Sequence, residues 1–170
     1  MTPLQTQPYR FTDDGTIPNN ARLPLLVYAQ ALPPEAIDSA GCTAFLARNG
    51  WHGAWTDGVF PYHHYHSTAH EVLAVISGNA TLHLGGEEGT MLSVQTGDVL
   101  VIPAGVGHRN HDSSNDFKVV GAYPDEQEWD LCTGKPEERP GVLDNIRQVV
   151  LPATDPLSGR RSPLLDQWQG

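Results

Sequence analysis

The stretch that decides the fold runs from residue 58 to residue 78 and reads GVFPYHHYHSTAHEVLAVISG. His64 and His66 stand two positions apart, and four residues separate His66 from Glu71. Residues two apart on a strand point to the same face, so the two imidazoles can converge on one metal ion while Tyr65 points away. A turn or bulge after His66 would return the chain and aim the Glu71 carboxylate at the same cavity.

A second stretch, GDVLVIPAGVGH at residues 97–108, supplies a fourth candidate ligand. A short apolar strand is followed by a loop rich in Pro and Gly that ends at His108. Glycine can take backbone conformations that other residues avoid, and proline fixes φ, so this loop can turn tightly and aim the imidazole inward. The two stretches together predict a metal site made of His64, His66, Glu71 and His108.

The residues around these stretches predict an all-β domain. Between residues 51 and 123, short apolar runs alternate with turn residues at the spacing typical of antiparallel sandwiches and barrels. Several runs are apolar at consecutive positions, which indicates strands covered on both faces. The runs cover residues 71–76, 81–84, 91–94, 99–102 and 117–122.

The segment before the barrel predicts one strand and one short helix. Residues 25–29 read LLVYA between Pro24 and Pro33, a pattern that suits a strand at a sheet edge. Apolar residues at near-helical spacing then predict a helix over residues 34–48, with proline at its first position and Gly50 as its stop.

At 170 residues the chain has the length of one domain. We expect a barrel core over about residues 50–123, preceded by a strand and helix in residues 1–49. Residues 124–170 are rich in Pro and charge and contain a possible short helix over residues 142–148. We expect this tail to wrap the barrel.

Charge and hydropathy exclude several classes of partner. Twenty Asp and Glu against ten Lys and Arg give a net charge of −10, which disfavours nucleic acid and anionic membrane surfaces. No secretory signal pattern or long apolar stretch stands out, so we expect a cytoplasmic protein. Cys42 and Cys132 leave room for one bridge, but a reducing compartment is the simpler expectation.

These residues resemble the two motifs of the cupin superfamily. The first, G-x5-H-x-H-x4-E-x6-G, is matched at every fixed position by Gly58, His64, His66, Glu71 and Gly78. The second, G-x5-P-x-G-x2-H-x3-N, is matched by Gly97, Pro103, Gly105 and His108, and Asp112 stands where the family has Asn. The resemblance implies a double-stranded β-helix, or jelly-roll barrel, and ligation of one metal ion by the matched histidines and glutamate.

The wider pattern is similar to the YjlB-like branch of small single-domain bacterial cupins. It rests on PYHHYHSTAHE at residues 61–71 and GAYP at residues 121–124. Members of this branch are largely without an assigned reaction. For the superfamily as a whole, the resemblance implies precedents among dioxygenases, isomerases and decarboxylases.

Other histidines and aromatic residues surround the motif. His63 and His70 are alternative ligands, because a slip of one residue exchanges the two faces of a strand. Surface or supporting roles are favoured for them and for three further histidines: His52, His83 and His111. Tyr62 lies two positions before His64, so continued alternation predicts that its phenol enters the cavity, where a phenol can orient a ligand or donate a proton.

Three imidazoles and one carboxylate leave two positions on a six-coordinate ion for water, O₂ or a chelating ligand. Mixed nitrogen and oxygen ligands suit Mn, Fe, Co, Ni, Cu or Zn. The first hypothesis is a metal-dependent enzyme, dioxygenase-like or isomerase-like, acting on a small polar oxygen-bearing molecule. The alternatives are a non-catalytic small-molecule-binding module and a purely structural metal site. Sheet edges and aromatic residues are compatible with a homodimer.

Overall fold

Nine β-strands form two antiparallel sheets in the computed structural model, which describes residues 4–169. The larger sheet has the strand order β1-β2-β7-β4-β9-β3, and the smaller has the order β6-β5-β8. This arrangement confirms the predicted all-β jelly-roll. The strands are β1 (Gln7–Tyr9), β2 (Leu25–Tyr28), β3 (Trp51–Asp57), β4 (Glu71–Ser77), β5 (Asn79–Leu84), β6 (Thr90–Gln95), β7 (Val99–Ile102), β8 (His108–Ser113) and β9 (Lys118–Pro124).

Both faces of the inner strands β4, β7 and β9 of the larger sheet are buried, as the consecutive apolar runs predict. Leu73 and Val75 of β4 face the smaller sheet and pack with its Leu82 and Leu84. Alternate β4 residues such as Val72 face the opposite way, into a second core covered by the helix and the C-terminal tail. The interior between the two sheets is therefore one apolar core, and the candidate site opens from it.

The N-terminal segment differs from the sequence-based prediction in two ways. Residues 25–28 do not form an edge strand, because β1 pairs with β2 on its outer side and takes the edge position. The predicted helix is divided into a short 3₁₀ turn at Pro34–Ala36 and helix α1 at Ser39–Arg48. The Asp38 side chain accepts a hydrogen bond from the backbone N–H of Gly41, and this cap fixes the start of α1.

The C-terminal tail packs against the larger sheet. It contains two short helices, α2 at Gly141–Gln148 and α3 at Leu164–Gln167. The Trp168 indole is fully buried and donates a hydrogen bond to the Pro24 carbonyl at 2.7 Å. The buried Tyr28 hydroxyl donates to the Asp155 carboxylate at 2.6 Å. None of the helices in residues 4–169 has the length and apolar character needed to cross a membrane.

Candidate metal centre

The structure brings the four predicted ligand side chains together inside the jelly-roll. One ring nitrogen from each of His64, His66 and His108 lies within 4.8 Å of the others. The Glu71 Oε1 atom lies 3.3 Å from the Nε2 atoms of both His66 and His108. All four residues are buried. Their role as metal ligands stays a prediction.

The backbone places these side chains through two isolated β-bridges. His64 and His108 face each other in an antiparallel bridge with two N–H···O bonds, of 3.2 and 2.9 Å. Tyr65 pairs with Cys132 in the next bridge, and its ring is buried on the other side of the chain. Tyr65 therefore points away from the cluster while its two histidine neighbours point into it.

Backbone carbonyls orient the three imidazoles. A carbonyl oxygen can only accept a hydrogen bond, so each Nδ1 carries a proton, and Nε2 is the nitrogen that would bind an ion. This is the arrangement that metal-binding histidines adopt. The pairs are His64 with the Tyr62 carbonyl at 3.1 Å, His108 with the Val106 carbonyl at 3.1 Å, and His66 with the Asp130 carbonyl at 2.5 Å.

The electrostatics of the cluster suit a cation. Burial and the neighbouring His108 lower the pKa of His64 to about 3, so this imidazole is neutral. Burial opposes ionisation of Glu71, but His66 and His108 outweigh it and hold the pKa of the carboxyl below its usual range. Burial likewise opposes protonation of His66, whose pKa is nevertheless raised by Glu71. A divalent ion would satisfy the carboxylate and the nitrogen lone pairs together, so these residues fit a metal.

A chain of hydrogen bonds behind Glu71 was not predicted from the sequence. The Tyr123 hydroxyl donates to Glu71 Oε2 at 2.9 Å and accepts from the Trp55 indole N–H at 2.7 Å. Both aromatic residues lie on strands of the larger sheet, Trp55 on β3 and Tyr123 on β9. The signal available in the sequence was Tyr123 within the GAYP segment, which served only for the family resemblance.

The loop after β9 supports His66. The Asp130 carboxylate accepts hydrogen bonds from the backbone N–H of Ser67, at 2.6 Å, and from the Ser67 hydroxyl. Its backbone carbonyl is the one that orients His66. The neighbouring Trp129 packs its ring against His66 with a centroid distance of 5.5 Å. This loop therefore fixes both a ligand and part of the cavity wall.

A cavity of about 270 Å³ opens beside the cluster. His64, His66, Glu71 and His108 contribute to its lining, so a bound ion would be accessible from the cavity. Most of the remaining wall is apolar or aromatic. Those other lining residues are Trp55, Thr56, Asp57, Gly58, Val59, Phe60, Leu73, Tyr123 and Trp129.

Tyr62 does not line this cavity, so the expected alternation is wrong at this position. Its ring is 43% exposed and stacks on Phe60 with a centroid distance of 4.9 Å. Residues 58–70 form a loop held by isolated bridges instead of a continuous strand, and the period of two is lost before His64. The catalytic role of Tyr62 stays a prediction.

The alternative ligands lie away from the cluster. The fully buried His70 accepts a hydrogen bond from the Ala104 N–H at 2.9 Å and packs on Trp168. The His63 Nε2 atom lies 2.9 Å from the carboxylate of Glu87, which is exposed. Asp112, at the position where the motif departs from the family pattern, is exposed on β8.

The remaining histidines also lie outside the site. His52 and His111 are exposed. His83 is buried beside His63, and these two form, with Glu87, the other group in residues 4–169 whose geometry could hold a metal. The Arg109 guanidinium lies 3.4 Å from His83 Nδ1, and its positive charge disfavours a cation there.

Comparisons with known proteins agree with this architecture. The family model described as the cupin domain matches residues 50–120. The uncharacterised protein YjlB of Bacillus subtilis (strain 168) is 48% identical over 164 residues, which cover 96% of this chain and 97% of YjlB.

Solved structures show more distant likeness. A DUF861 family protein from Thermotoga maritima is 16% identical, with 57% of this chain and 96% of that chain covered and a TM-score of 0.38. Acireductone dioxygenase from Bacillus anthracis, with a cadmium ion in its active centre, is 19% identical over 59% of this chain and 76% of its own, with a TM-score of 0.39. A variant of the oxalate decarboxylase of Bacillus subtilis is 16% identical over 66% of this chain and 24% of its own, with a TM-score of 0.37.

Proposed function

Because this chain belongs to the cupin family, and within it to the group that includes YjlB of Bacillus subtilis, we propose that it is a metal-dependent enzyme. One divalent transition-metal ion would be held by His64, His66, Glu71 and His108. The observation that carries the proposal is the shared orientation of the three imidazoles, each with Nδ1 on a backbone carbonyl and its other nitrogen turned into the cluster that contains Glu71.

The donor set favours a transition metal over Mg²⁺ or Ca²⁺, because imidazole nitrogens dominate it. Mn, Fe, Co, Ni, Cu and Zn all accept such ligands. When bound, the ion supplies Lewis acidity or, as iron, a position for O₂. If the ion were six-coordinate, four protein ligands would leave two positions for other ligands, and all four residues contribute to the cavity lining, which supports a dioxygenase-like or isomerase-like reaction on a small oxygen-bearing molecule.

The protein's own groups would orient the ligands and exclude water. Tyr123 holds one carboxylate oxygen of Glu71, so the other oxygen keeps a fixed direction. The apolar walls around Val59, Leu73 and Trp129 limit the water that can reach the site. Apolar walls lower the local dielectric and so strengthen electrostatic interactions with a bound molecule.

A non-catalytic binding module is the second candidate, and one observation favours it. The Tyr123 hydroxyl is engaged between Trp55 and Glu71, so it is not free to exchange protons with a ligand. Apart from the four proposed ligands, Asp57 is then the remaining carboxylate among the described residues of the cavity lining. A purely structural ion is disfavoured, because the cavity reaches the site.

Metal content is the first test of the proposal. Wild-type protein, purified without chelator or nickel resin, should carry about one ion per chain by inductively coupled plasma mass spectrometry. The His64→Ala/His66→Ala variant should carry none. A matched control, His52→Ala/His111→Ala, removes two exposed histidines and should retain the ion. Wild type that stays metal-free after incubation with each of the six metals would contradict the proposal.

Catalysis is tested separately from binding. Protein loaded anaerobically with Fe(II) is mixed with candidate oxygen-bearing chelators, and O₂ uptake is followed with an electrode. Uptake above that of free Fe(II), and absent from the double histidine variant, would support the dioxygenase-like reaction. Tight chelator binding without turnover on any metal would favour the binding module.

The expected homodimer also stays a prediction. The outer strands of the larger sheet, β1 and β3, are the edges at which a second copy would pair. Sedimentation equilibrium at several concentrations tests it: a mass near twice 18.5 kDa supports the dimer, and a constant 18.5 kDa contradicts it.

A further inference from the structure

We infer that the molecule bound beside the metal site is an apolar, ring-bearing chelator whose polarity is confined to the oxygen atoms that bind the ion. The inference rests on the proposed function and narrows it to a class of ligand. It excludes phosphorylated compounds and small dicarboxylates as the preferred occupants. The shape and charge of the cavity wall carry the argument.

The wall beyond the ligands is built from aromatic rings. Trp129, which contributes to the cavity lining and is 50% exposed, lies nearly parallel to Tyr123, with ring centroids 6.2 Å apart and planes inclined by 22°. Phe60, also half-exposed, packs edge-on against His64 at 5.2 Å. Two large apolar surfaces next to the proposed ligands His64 and His66 are thus left in contact with water. A flat ring bound in the cavity would bury part of this apolar surface.

Trp55 extends this wall, and the sequence makes room for it. Its indole lies over Gly121, its partner on β9, and a Cβ added there would sit 2.4 Å from two indole carbons. The absence of a side chain at Gly121 lets the ring lie flat on the strand. Leu73 and Val59 close the apolar lining. A planar ligand would meet carbon atoms on most sides.

The charges of the cavity lining exclude a ligand with anionic groups other than the two oxygen atoms that chelate the ion. Within the part of the chain that the structure describes, no Lys or Arg side chain lines the cavity, and Asp57 adds a negative charge there. The neighbouring Arg109 is engaged elsewhere, with the Pro61 carbonyl, His83 and His111. A phosphate or a second carboxylate on the ligand would lose its hydration in the cavity. No cation other than the bound ion would compensate its charge.

The size of the cavity limits the ligand to about one ring with small substituents. Its volume of about 270 Å³ lies just below the range typical of sites for drug-sized molecules, about 300 to 1,000 Å³. A fused polycyclic compound would have to project past Trp129 into solvent. A single-ring compound with two adjacent oxygen donors would fit within the walls.

Three hydroxamates test the inference, because they share one chelating group and differ only in what they present to the wall. Zn²⁺ is used as the ion, since it is redox-inactive and the probes are not consumed. Isothermal titration calorimetry on zinc-loaded wild type should show benzohydroxamate binding at least tenfold more tightly than acetohydroxamate. The 4-carboxy derivative of benzohydroxamate should bind no more tightly than the parent compound.

Two variants on the loop after β9 separate the contribution of the cavity wall from general effects of a substitution in this loop. Trp129→Ala should weaken benzohydroxamate binding about fivefold more than it weakens acetohydroxamate binding. Leu131→Ala, a half-exposed residue outside the cavity lining, should leave both affinities unchanged. Zinc content and far-ultraviolet circular dichroism of each variant establish that it is loaded and folded.

The outcomes distinguish this inference from the proposed function. Protein that carries zinc but binds acetohydroxamate as tightly as benzohydroxamate overturns the ligand class alone, and so does tighter binding of the carboxylated probe. Failure of the protein to take up zinc and each of the other metals would overturn the proposed function and the inference with it. If metal-free protein bound benzohydroxamate with the same preference and the same affinity as zinc-loaded protein, chelation of the ion would play no part in binding, and the inference would be overturned.

Discussion

Tyr123 donates its hydroxyl hydrogen to the Glu71 oxygen that faces away from His66 and His108, at 2.9 Å. The two residues lie on adjacent strands of the larger sheet, β9 and β4. Burial, followed by the Glu71 charge, raises the pKa of Tyr123 well above its usual value, so the phenol stays a hydrogen-bond donor at any working pH. The carboxylate is therefore held from behind while its other oxygen faces the imidazoles.

Removal of this hydroxyl should weaken metal binding. In Tyr123→Phe, Glu71 loses its phenolic donor and the Trp55 indole N–H loses its acceptor. Changes to groups that hydrogen-bond to metal ligands typically cost about 10-fold to 100-fold in affinity. We expect a loss of about tenfold, measured by competition with a chelating indicator dye.

Tyr62→Phe is the matched control, because Tyr62 lies on the cavity's outer side and its ring is 43% exposed. It should leave metal affinity unchanged. Equal affinity in wild type and Tyr123→Phe would show that the hydrogen bond to Glu71 does not matter for the ion. A loss of metal affinity in Tyr62→Phe instead would show that the Tyr62 hydroxyl contributes to the site.

The strands that the sequence predicts are those that bury apolar residues on one or both faces. The run at residues 99–102 coincides with β7. Strand β8 was missed, because its residues, HRNHDS, contain no apolar side chain to mark a buried face. Its pairing with β5 comes from backbone hydrogen bonds, which composition does not report. Strand β3 was missed for a related reason, since a bulge between His52 and Trp55 interrupts its alternation.

The residues of the candidate site divide in the same way, into those placed by their spacing along the chain and those placed by the pairing of distant strands. The clustering of His64, His66, Glu71 and His108 could be predicted because their spacing along the chain carries the information. The contribution of Trp55 and Tyr123 depends on how β3 and β9 pair, across 68 residues. The predicted direction of the Tyr62 side chain differs from the structure, because regular alternation was assumed through a segment that is a loop.

Gly121 should be intolerant of a side chain. In Gly121→Ala the new Cβ would overlap the Trp55 indole, which must move and give up its bond to Tyr123. Overpacking of this kind costs about 1 to 3 kcal/mol. We expect the free energy of unfolding to fall by that amount in urea titrations, with a change in tryptophan emission.

Gly58→Ala provides the comparison, since Gly58 also lines the cavity but an added Cβ would meet nothing within 4 Å. Its stability and emission should match those of wild type. Equal stability of Gly121→Ala and wild type would mean that the indole moves without cost and is not fixed by its neighbours.

Both cysteines should be unreactive in the folded protein. Burial, with Asp38 near Cys42 and Asp130 near Cys132, raises the pKa of each thiol to about 12. The thiolate is the reactive form, so little of it is present at pH 8. Ellman's reagent should therefore release no colour within minutes from the folded protein and two equivalents per chain in urea. One or no equivalent in urea would contradict the free thiols of the structure.

His70 should make the metal-free protein sensitive to acid. Burial, and then the positive charge of Arg22, lower the pKa of His70 to about 3, whereas an exposed histidine titrates near 6.5. Between these values the unfolded chain binds a proton that the folded chain does not. Stability is therefore lost as the pH falls from about 6.5 toward 3, by about 1.4 kcal/mol per pH unit for such a histidine.

The contribution of His70 can be isolated with His70→Gln, measured in chelator so that the metal ligands titrate alike in both proteins. Urea denaturation at pH 7, 6, 5 and 4.5 gives the free energy of unfolding of each. The variant should be less stable at pH 7, because the bond from Ala104 and the packing on Trp168 are altered. The difference should then shrink as the pH falls, because glutamine takes up no proton. Parallel pH curves for the two proteins would show that His70 is protonated in the folded state as readily as in the unfolded chain.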